Sequence, residues 1–136
     1  MFNAFYLNEF VLWRLKSPVE GYGNTLGSNT GFFAPVIENA GDVLVPTISL
    51  FEVFKRVLIE KNRDDALEAI ALMRDGRMID LDDNLALVAA ELSFELKLPL
   101  ADSIILATAR AHDATLWTQD VHFKDIEGVR YIEKKS

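Results

Sequence analysis

Short segments with strand character alternate with longer amphipathic segments along most of this sequence. The strand-like segments are Val43–Val45, Arg77–Leu81, Ala114–Thr118 and Val129–Ile132. The segments between them repeat apolar residues with the period of an α-helix. Strands separated by helices favour parallel crossover connections. The pattern therefore predicts an α/β fold, a single domain over residues 1–136 with helices packed around a central parallel sheet.

The helical period and the helix-ending residues define the other elements. From residue 49 onward, four helices are predicted: Ser49–Lys61, Asp64–Asp75, Asp83–Lys97 and Leu100–His112. Residues 1–30 are predicted to be divergent or partly irregular. In and just beyond that region we predict a first strand, a glycine-containing loop and a short helix, at Phe10–Leu15, Pro18–Asn29 and Thr30–Ala40.

Composition excludes several classes of protein. The formal net charge of -7 works against nonspecific attraction to nucleic acid, so any contact with RNA is expected to be local. The absence of cysteine excludes disulfides and thiolate chemistry, and is compatible with the cytoplasm, which we predict as the location. Polar residues interrupt the apolar stretch Phe2–Leu15, so it is too short and too polar to be a membrane span.

Three carboxylates lie where a strand-like run meets a helix or turn: Glu52, Asp102 and Asp120. In an open α/β sheet, the carboxyl ends of the strands and the neighbouring helix starts form one crevice, so distant residues meet there. Hard divalent ions prefer oxygen ligands. The three acids are therefore candidates for a divalent-metal site.

Each acid also has a structural interpretation. Glu52 follows Ser49 at the spacing of a capping box. Asp102 lies in a first helical turn, where the helix dipole favours negative charge, and Asp120 is in a turn, where Asp bonds nearby amides. What favours a site is that all three occupy comparable junctions, whereas the other acids fit exposed helix faces or caps.

The segments around these acids are VPTISLFEV from residue 45, LADSIILATA from residue 100, and LWTQD from residue 116, followed by Phe123 and Gly128. As a set they resemble the PIN-domain ribonucleases, and among them the VapC-like toxins of toxin–antitoxin pairs. The resemblance extends over Gly31–Tyr131, about three quarters of the chain.

This resemblance implies a metal-dependent endoribonuclease in which Glu52, Asp102 and Asp120 hold Mg²⁺ or Mn²⁺ and are the catalytic residues. It also implies that the Thr118 hydroxyl orients a carboxylate or a water, although a β-branched residue in a strand has a structural interpretation as well. The implied partners are an RNA substrate, an antitoxin protein and a second copy of the chain.

Basic and imidazole side chains are weaker candidates. Lys55 and Arg56 follow Glu52 on the same predicted helix and are candidates for binding substrate phosphates, although charged helix faces are common. His112 and His122 are not spaced as a metal-binding pair, and each is interpreted as a helix-end or turn residue.

The sequence departs from the family pattern at the first strand. The family has an Asp at the end of that strand, and the closest residue here is Lys16, whose ammonium cannot ligate a metal. Three explanations are open. In the first, Glu9 or Glu20 supplies the missing carboxylate, and in the second the protein is an inactive relative. In the third, the reading frame of the gene has changed near this point. The codons CGA CTC AAG TCN would encode Arg14–Ser17, and the same bases read one position later encode Asp-Ser-Ser.

Three functions therefore remain open at the level of sequence. The first is the ribonuclease toxin, impaired by the loss of one metal-binding Asp. The second is a non-catalytic PIN-like module that binds an antitoxin-type partner. The third is another metal-dependent hydrolase of the same architecture, such as a phosphatase.

Overall fold

The computed structural model describes residues 3–5 and 43–133. Strands and α-helices alternate through this part of the chain. In chain order they are β1 (Asn3–Phe5), β2 (Val43–Pro46), α1 (Thr47–Glu60), α2 (Arg63–Met73), β3 (Arg77–Ile79), α3 (Asp83–Leu96), α4 (Leu100–Ala111), β4 (Thr115–Thr118) and β5 (Val129–Tyr131). One turn of 3₁₀-helix, Val121–Phe123, lies between the last two strands. The strands and helices predicted from residue 43 onward are confirmed, with ends that differ by at most two residues.

The five strands form one sheet in the order β3-β2-β1-β4-β5. Every adjacent pair is parallel, as the register of Asn3 with both Val43 and Thr115 illustrates on the two sides of β1. The α/β fold with a central parallel sheet is therefore confirmed.

Helices cover both faces of the sheet because neighbouring strand residues point in opposite directions. Val43, Val45 and Trp117 pack with buried residues of α1 and α2. Leu44 and Leu116 pack on the other face with buried residues of α3 and α4. Strands buried on both faces explain the continuous apolar runs that identified them in the sequence.

The first turn of α1 differs from the sequence interpretation. Pro46 ends β2 and is the N-cap of the helix, with φ -61°, so the helix begins at Thr47. Ser49 is therefore inside the first turn, where it is buried, and no side chain caps this end. The capping-box interpretation of Glu52 was wrong, because the fixed φ of proline suits the start of a helix two residues earlier.

The second difference from the sequence prediction concerns the strand at the centre of the sheet. Asn3–Phe5 forms the central strand, where the sequence had indicated none. The predicted strand, loop and helix at Phe10–Leu15, Pro18–Asn29 and Thr30–Ala40 lie outside the described residues. So do Glu9, Lys16 and Glu20. None of the helices in the described part of the chain has the length and hydrophobicity needed to cross a bilayer.

Candidate metal centre

Asp102, Asp120 and His122 meet at one place beside the end of β4. Nδ1 of His122 lies 3.1 Å from Oδ2 of Asp102 and 3.0 Å from Oδ1 of Asp120. One ligand atom from each of the three residues lies within 4.8 Å of the others. The structure thus brings together two of the three predicted acids, and it adds an imidazole to them.

Local hydrogen bonds position Asp120 as it leaves β4. Its backbone N–H donates to Oγ1 of Thr118 at 2.9 Å. Its carboxylate Oδ1 accepts the backbone N–H of His122 at 2.9 Å and so caps the 3₁₀-helix. The predicted turn role of Asp120 is therefore real, and the same carboxylate also faces the cluster. Thr118, predicted to support the site, contacts the backbone of Asp120 through its hydroxyl.

Asp102 is the third residue of α4, which starts after Pro99 at its N-cap. The residue is only 4% exposed, unlike the acids of the other helix starts. Burial raises the pKa of the Asp102 carboxyl from its usual 3.8 to about 6. The neighbouring Asp120 carboxylate also raises this pKa, while the charge and hydrogen bond of His122 lower it. A buried carboxyl close to a second one is a group that gains from a nearby cation.

The three side chains differ in their access to solvent. The side chain of Asp102 is 6% exposed, that of Asp120 is 19% exposed, and that of His122 is 55% exposed. The carboxylates therefore form the inner wall of the site, and the imidazole forms its outer side. Two carboxylate oxygens and one ring nitrogen make a donor set that suits a divalent metal ion.

Glu52 lies on α1, and its Oε1 is shielded from solvent. It is not in the group of described residues whose ligand atoms lie within 4.8 Å of one another. It does line a surface recess together with Phe51, Lys55, Arg56, Ile59 and Glu60. The predicted role of Glu52 in metal binding stays a prediction, and the carboxylate would act from the side of α1.

The two predicted phosphate-binding residues share that recess. Nζ of Lys55 lies 5.8 Å from the ring centroid of Phe51 in an exposed position. Nε of Arg56 pairs with Oε1 of Glu60 at 3.2 Å, one turn along the helix. Lys55 is therefore the more available cation of the two, since the charge of Arg56 is partly neutralised by its neighbour.

His122 is the site residue that the sequence interpretation missed. It was assigned to a turn, which is correct, but the turn directs its ring nitrogen toward Asp102 and Asp120. The available signal was the Asp-x-His spacing of residues 120–122 directly after a buried strand. His112, in contrast, is a helix-end residue as predicted, with Nδ1 3.0 Å from the Thr108 carbonyl oxygen.

Comparison with known proteins gives the family. A family model described as the PIN domain matches residues 27–129. The chain belongs to the PIN domain family. No curated protein sequence matches this PIN domain significantly.

Solved structures share its fold. They include a toxin–antitoxin complex from Klebsiella pneumoniae, with a TM-score of 0.68 and 23% identity over 94% of this chain and 95% of that one. They also include VapBC2 from Rickettsia felis, bound to a DNA fragment from their promoter. Its TM-score is 0.68 and its sequence identity is 18%, over 99% of this chain and 100% of that one. A third structure is DNA-bound VapBC from Salmonella typhimurium, with a TM-score of 0.70 and 15% sequence identity over 99% of this chain and 100% of that one. At these low sequence identities, the comparison shows that this chain and the three solved structures share a fold.

Proposed function

We propose that this PIN domain is a divalent-metal-dependent endoribonuclease and the toxin of a toxin–antitoxin pair. The observation that carries the proposal is the convergence of Asp102 and Asp120, from two different elements, at the end of a central parallel sheet. The raised pKa of the buried Asp102 carboxyl supports it, because perturbed acids cluster at functional sites. The toxin–antitoxin complexes that share the fold support the partner that we propose, an antitoxin protein.

The cluster fits Mg²⁺ or Mn²⁺, since both ions accept carboxylate oxygens. Asp102 and Asp120 would hold the ion from inside the site, and Glu52 would add a third carboxylate from α1. When bound, such an ion activates water, orients the scissile phosphate and neutralises charge on phosphoryl oxygens. Thr118 holds the backbone of Asp120, and Lys55 and Arg56 bind phosphates of an RNA substrate. The proposal also includes a single domain over residues 1–136, a cytoplasmic location and self-association of the chain.

One experiment tests the metal site directly. Binding of Mg²⁺ and of Mn²⁺ to the full chain would be measured by calorimetry, for the unchanged protein and for Asp102→Asn and Glu52→Gln. We expect a loss of at least about tenfold in affinity for each variant, since even residues outside the ligand set cost 10- to 100-fold in metal affinity when changed. Asp64→Asn is the matched control, because Asp64 is also a first-turn acid but is exposed.

RNA cleavage then separates the enzyme from the other functions. We expect Mn²⁺- or Mg²⁺-dependent cleavage of RNA that disappears in Asp102→Asn and persists in Asp64→Asn. Activity on a small phosphoester without RNA cleavage would favour a different hydrolase. Equal metal affinity of the unchanged protein and of Asp102→Asn would refute the proposed site.

A second candidate function is a non-catalytic module that binds an antitoxin-type partner. The observation that favours it is the position of β1, because the three residues that follow Phe5 in the sequence, Tyr6, Leu7 and Asn8, include no carboxylate. Replacement of an Asp ligand by another residue removes charge and oxygen atoms from a hard-cation site. Absence of metal binding together with retained binding of a co-expressed antitoxin would identify this function.

A further inference from the structure

The imidazole of His122 occupies a position between the two carboxylates of the cluster. Its Nδ1 is nearly equidistant from Asp102 and Asp120, at 3.1 Å and 3.0 Å. An ion that holds its ligands at about 2.1 Å and at right angles separates neighbouring ligand atoms by about 3 Å. In the structure the ring nitrogen lies at hydrogen-bonding distance from both oxygens, and this is also the spacing of neighbouring ligands of one octahedral ion.

The chain holds His122 in this place through its backbone. The N–H of His122 donates to Oδ1 of Asp120, whose own N–H donates to Thr118. The next residue, Phe123, is completely buried in the core on the α3 and α4 face of the sheet. The turn is therefore anchored on both sides of the histidine, so the ring has only its own side-chain rotations with which to leave the carboxylates.

The donor chemistry distinguishes this site from one made of carboxylates alone. Imidazole is a good ligand for transition-metal ions, whereas Mg²⁺ favours oxygen ligands and water. A neutral nitrogen in place of a carboxylate also lowers the negative charge of the site. Both effects weaken Mg²⁺ binding relative to that of a transition-metal ion.

We infer that His122 is a further ligand of the metal, through Nδ1, in addition to the carboxylates, and that it gives the site a preference for Mn²⁺ over Mg²⁺. The inference rests on the proposed metal-dependent function and names the residue that sets its ion preference. The role of His122 is then to bind the ion from the more solvent-exposed side of the site, whereas Asp102 binds from the buried side.

The test uses the full chain with Mn²⁺ alone and with Mg²⁺ alone. Calorimetry gives the affinity of each ion for the unchanged protein, for His122→Ala and for His122→Asn. We expect both variants to lose at least about tenfold in affinity for Mn²⁺ and less for Mg²⁺, so the preference for Mn²⁺ narrows. His112→Ala is the matched control, since the other histidine of the chain bonds a helix carbonyl oxygen outside the cluster.

A spectroscopic measurement tests coordination itself. Electron spin echo modulation of bound Mn²⁺ detects the ¹⁴N nucleus of a directly coordinated imidazole. We expect this modulation in the unchanged protein and in His112→Ala, and its absence in His122→Ala with Mn²⁺ in excess. Circular dichroism of each variant checks that the fold is retained.

The outcomes separate this inference from the proposed function. One outcome would exclude His122 as a ligand and leave the acidic site in place. In it, the unchanged protein binds Mn²⁺, Asp102→Asn does not, and His122→Ala retains the affinities for both ions and the ¹⁴N modulation. If the unchanged protein binds neither ion, the metal-dependent function and the role of His122 are both overturned.

Discussion

Thr118 accepts, through its buried Oγ1, a hydrogen bond of 2.9 Å from the backbone N–H of Asp120. This bond links the last residue of β4 to the residue that supplies a carboxylate to the cluster. Because the side chain of Thr118 points into the protein, it fixes the direction in which the chain turns after the strand. The placement of Asp120 therefore depends on a hydroxyl group that does not belong to the three-residue cluster.

Thr118→Val retains the shape of the side chain but removes this acceptor. We expect a loss of about 1 kcal/mol in the free energy of unfolding, measured with urea, and a weaker affinity for Mn²⁺. Thr118→Ser keeps the hydroxyl and should therefore retain most of the unfolding free energy and most of the Mn²⁺ affinity. Thr108→Val is the control, since the equally buried Thr108 hydroxyl bonds a helix carbonyl oxygen away from the cluster. Equal Mn²⁺ affinities for the Val and Ser variants would contradict a positioning role.

Asp102 makes the stability of the chelator-treated protein depend on pH. The pKa of the Asp102 carboxyl is higher in the folded than in the unfolded chain, so its ionisation destabilises the fold. The penalty is absent below about pH 4, grows between about pH 4 and pH 6, and is complete at higher pH. We expect the unfolding free energy of Asp102→Asn, relative to the unchanged protein, to rise by up to about 3 kcal/mol between pH 4 and pH 7. Urea unfolding at several pH values measures this difference, and Asp64→Asn should show no such trend.

Gly76 permits close packing between the start of β3 and β2. A Cβ at this position would lie 2.7 Å from the carbonyl oxygen of Val43 and 2.7 Å from Cγ2 of Val45. We expect Gly76→Ala to lower the unfolding free energy by about 1–3 kcal/mol, because β2 is held between two neighbouring strands and its backbone cannot move away easily. The adjacent and exposed Asp75 is the control, and Asp75→Ala should change the stability by less than about 0.5 kcal/mol. Equal stabilities of these two variants would be inconsistent with the close contact.

Lys55 is expected to contribute one phosphate contact to RNA binding. In an Asp102→Asn background that prevents cleavage, Lys55→Gln should weaken binding of a mixed-sequence single-stranded RNA. It should also reduce the slope of log affinity against log salt by about one. Arg56→Gln should have a smaller effect, since Arg56 is paired with Glu60. Arg63→Gln removes the same charge from the start of α2 and serves as the control. An unchanged salt slope for Lys55→Gln would exclude the contact.

The sequence predicted the fold well from residue 43 onward because short apolar strands and amphipathic helices have distinct periods there. It also predicted that Asp102 and Asp120 are candidates for one site. Asp120 does follow the carboxyl end of β4, but the strand-like run predicted before Asp102 is wrong, because α4 comes directly after α3. The proximity of His122 to these two carboxylates was not predictable in the same way. A single 3₁₀ turn, anchored by the burial of Phe123, sets the direction of that ring.

The central strand was missed for a related reason. Asn3–Phe5 is three residues long, too short for a periodic pattern, and its place is determined by pairing with remote segments. The first turn of α1 was misread because the local capping signal of Ser49 and Glu52 competes with Pro46, which fixes the start of the helix. The central strand was thus decided by remote contacts, and the start of α1 by the stronger of two local signals.

The position of β1 also has a consequence for the order in which the fold is assembled. Asn3 pairs with Val43 on one side and with Thr115 on the other. The first of these strands to leave the ribosome therefore acquires its second neighbour only when most of the chain has been synthesised. Pairing across such a separation in sequence is slow, because the intervening chain must first lose conformational freedom. Until then β1 presents an open edge on the side that later pairs with β4, so the nascent chain passes through a stage that is vulnerable to pairing with other molecules.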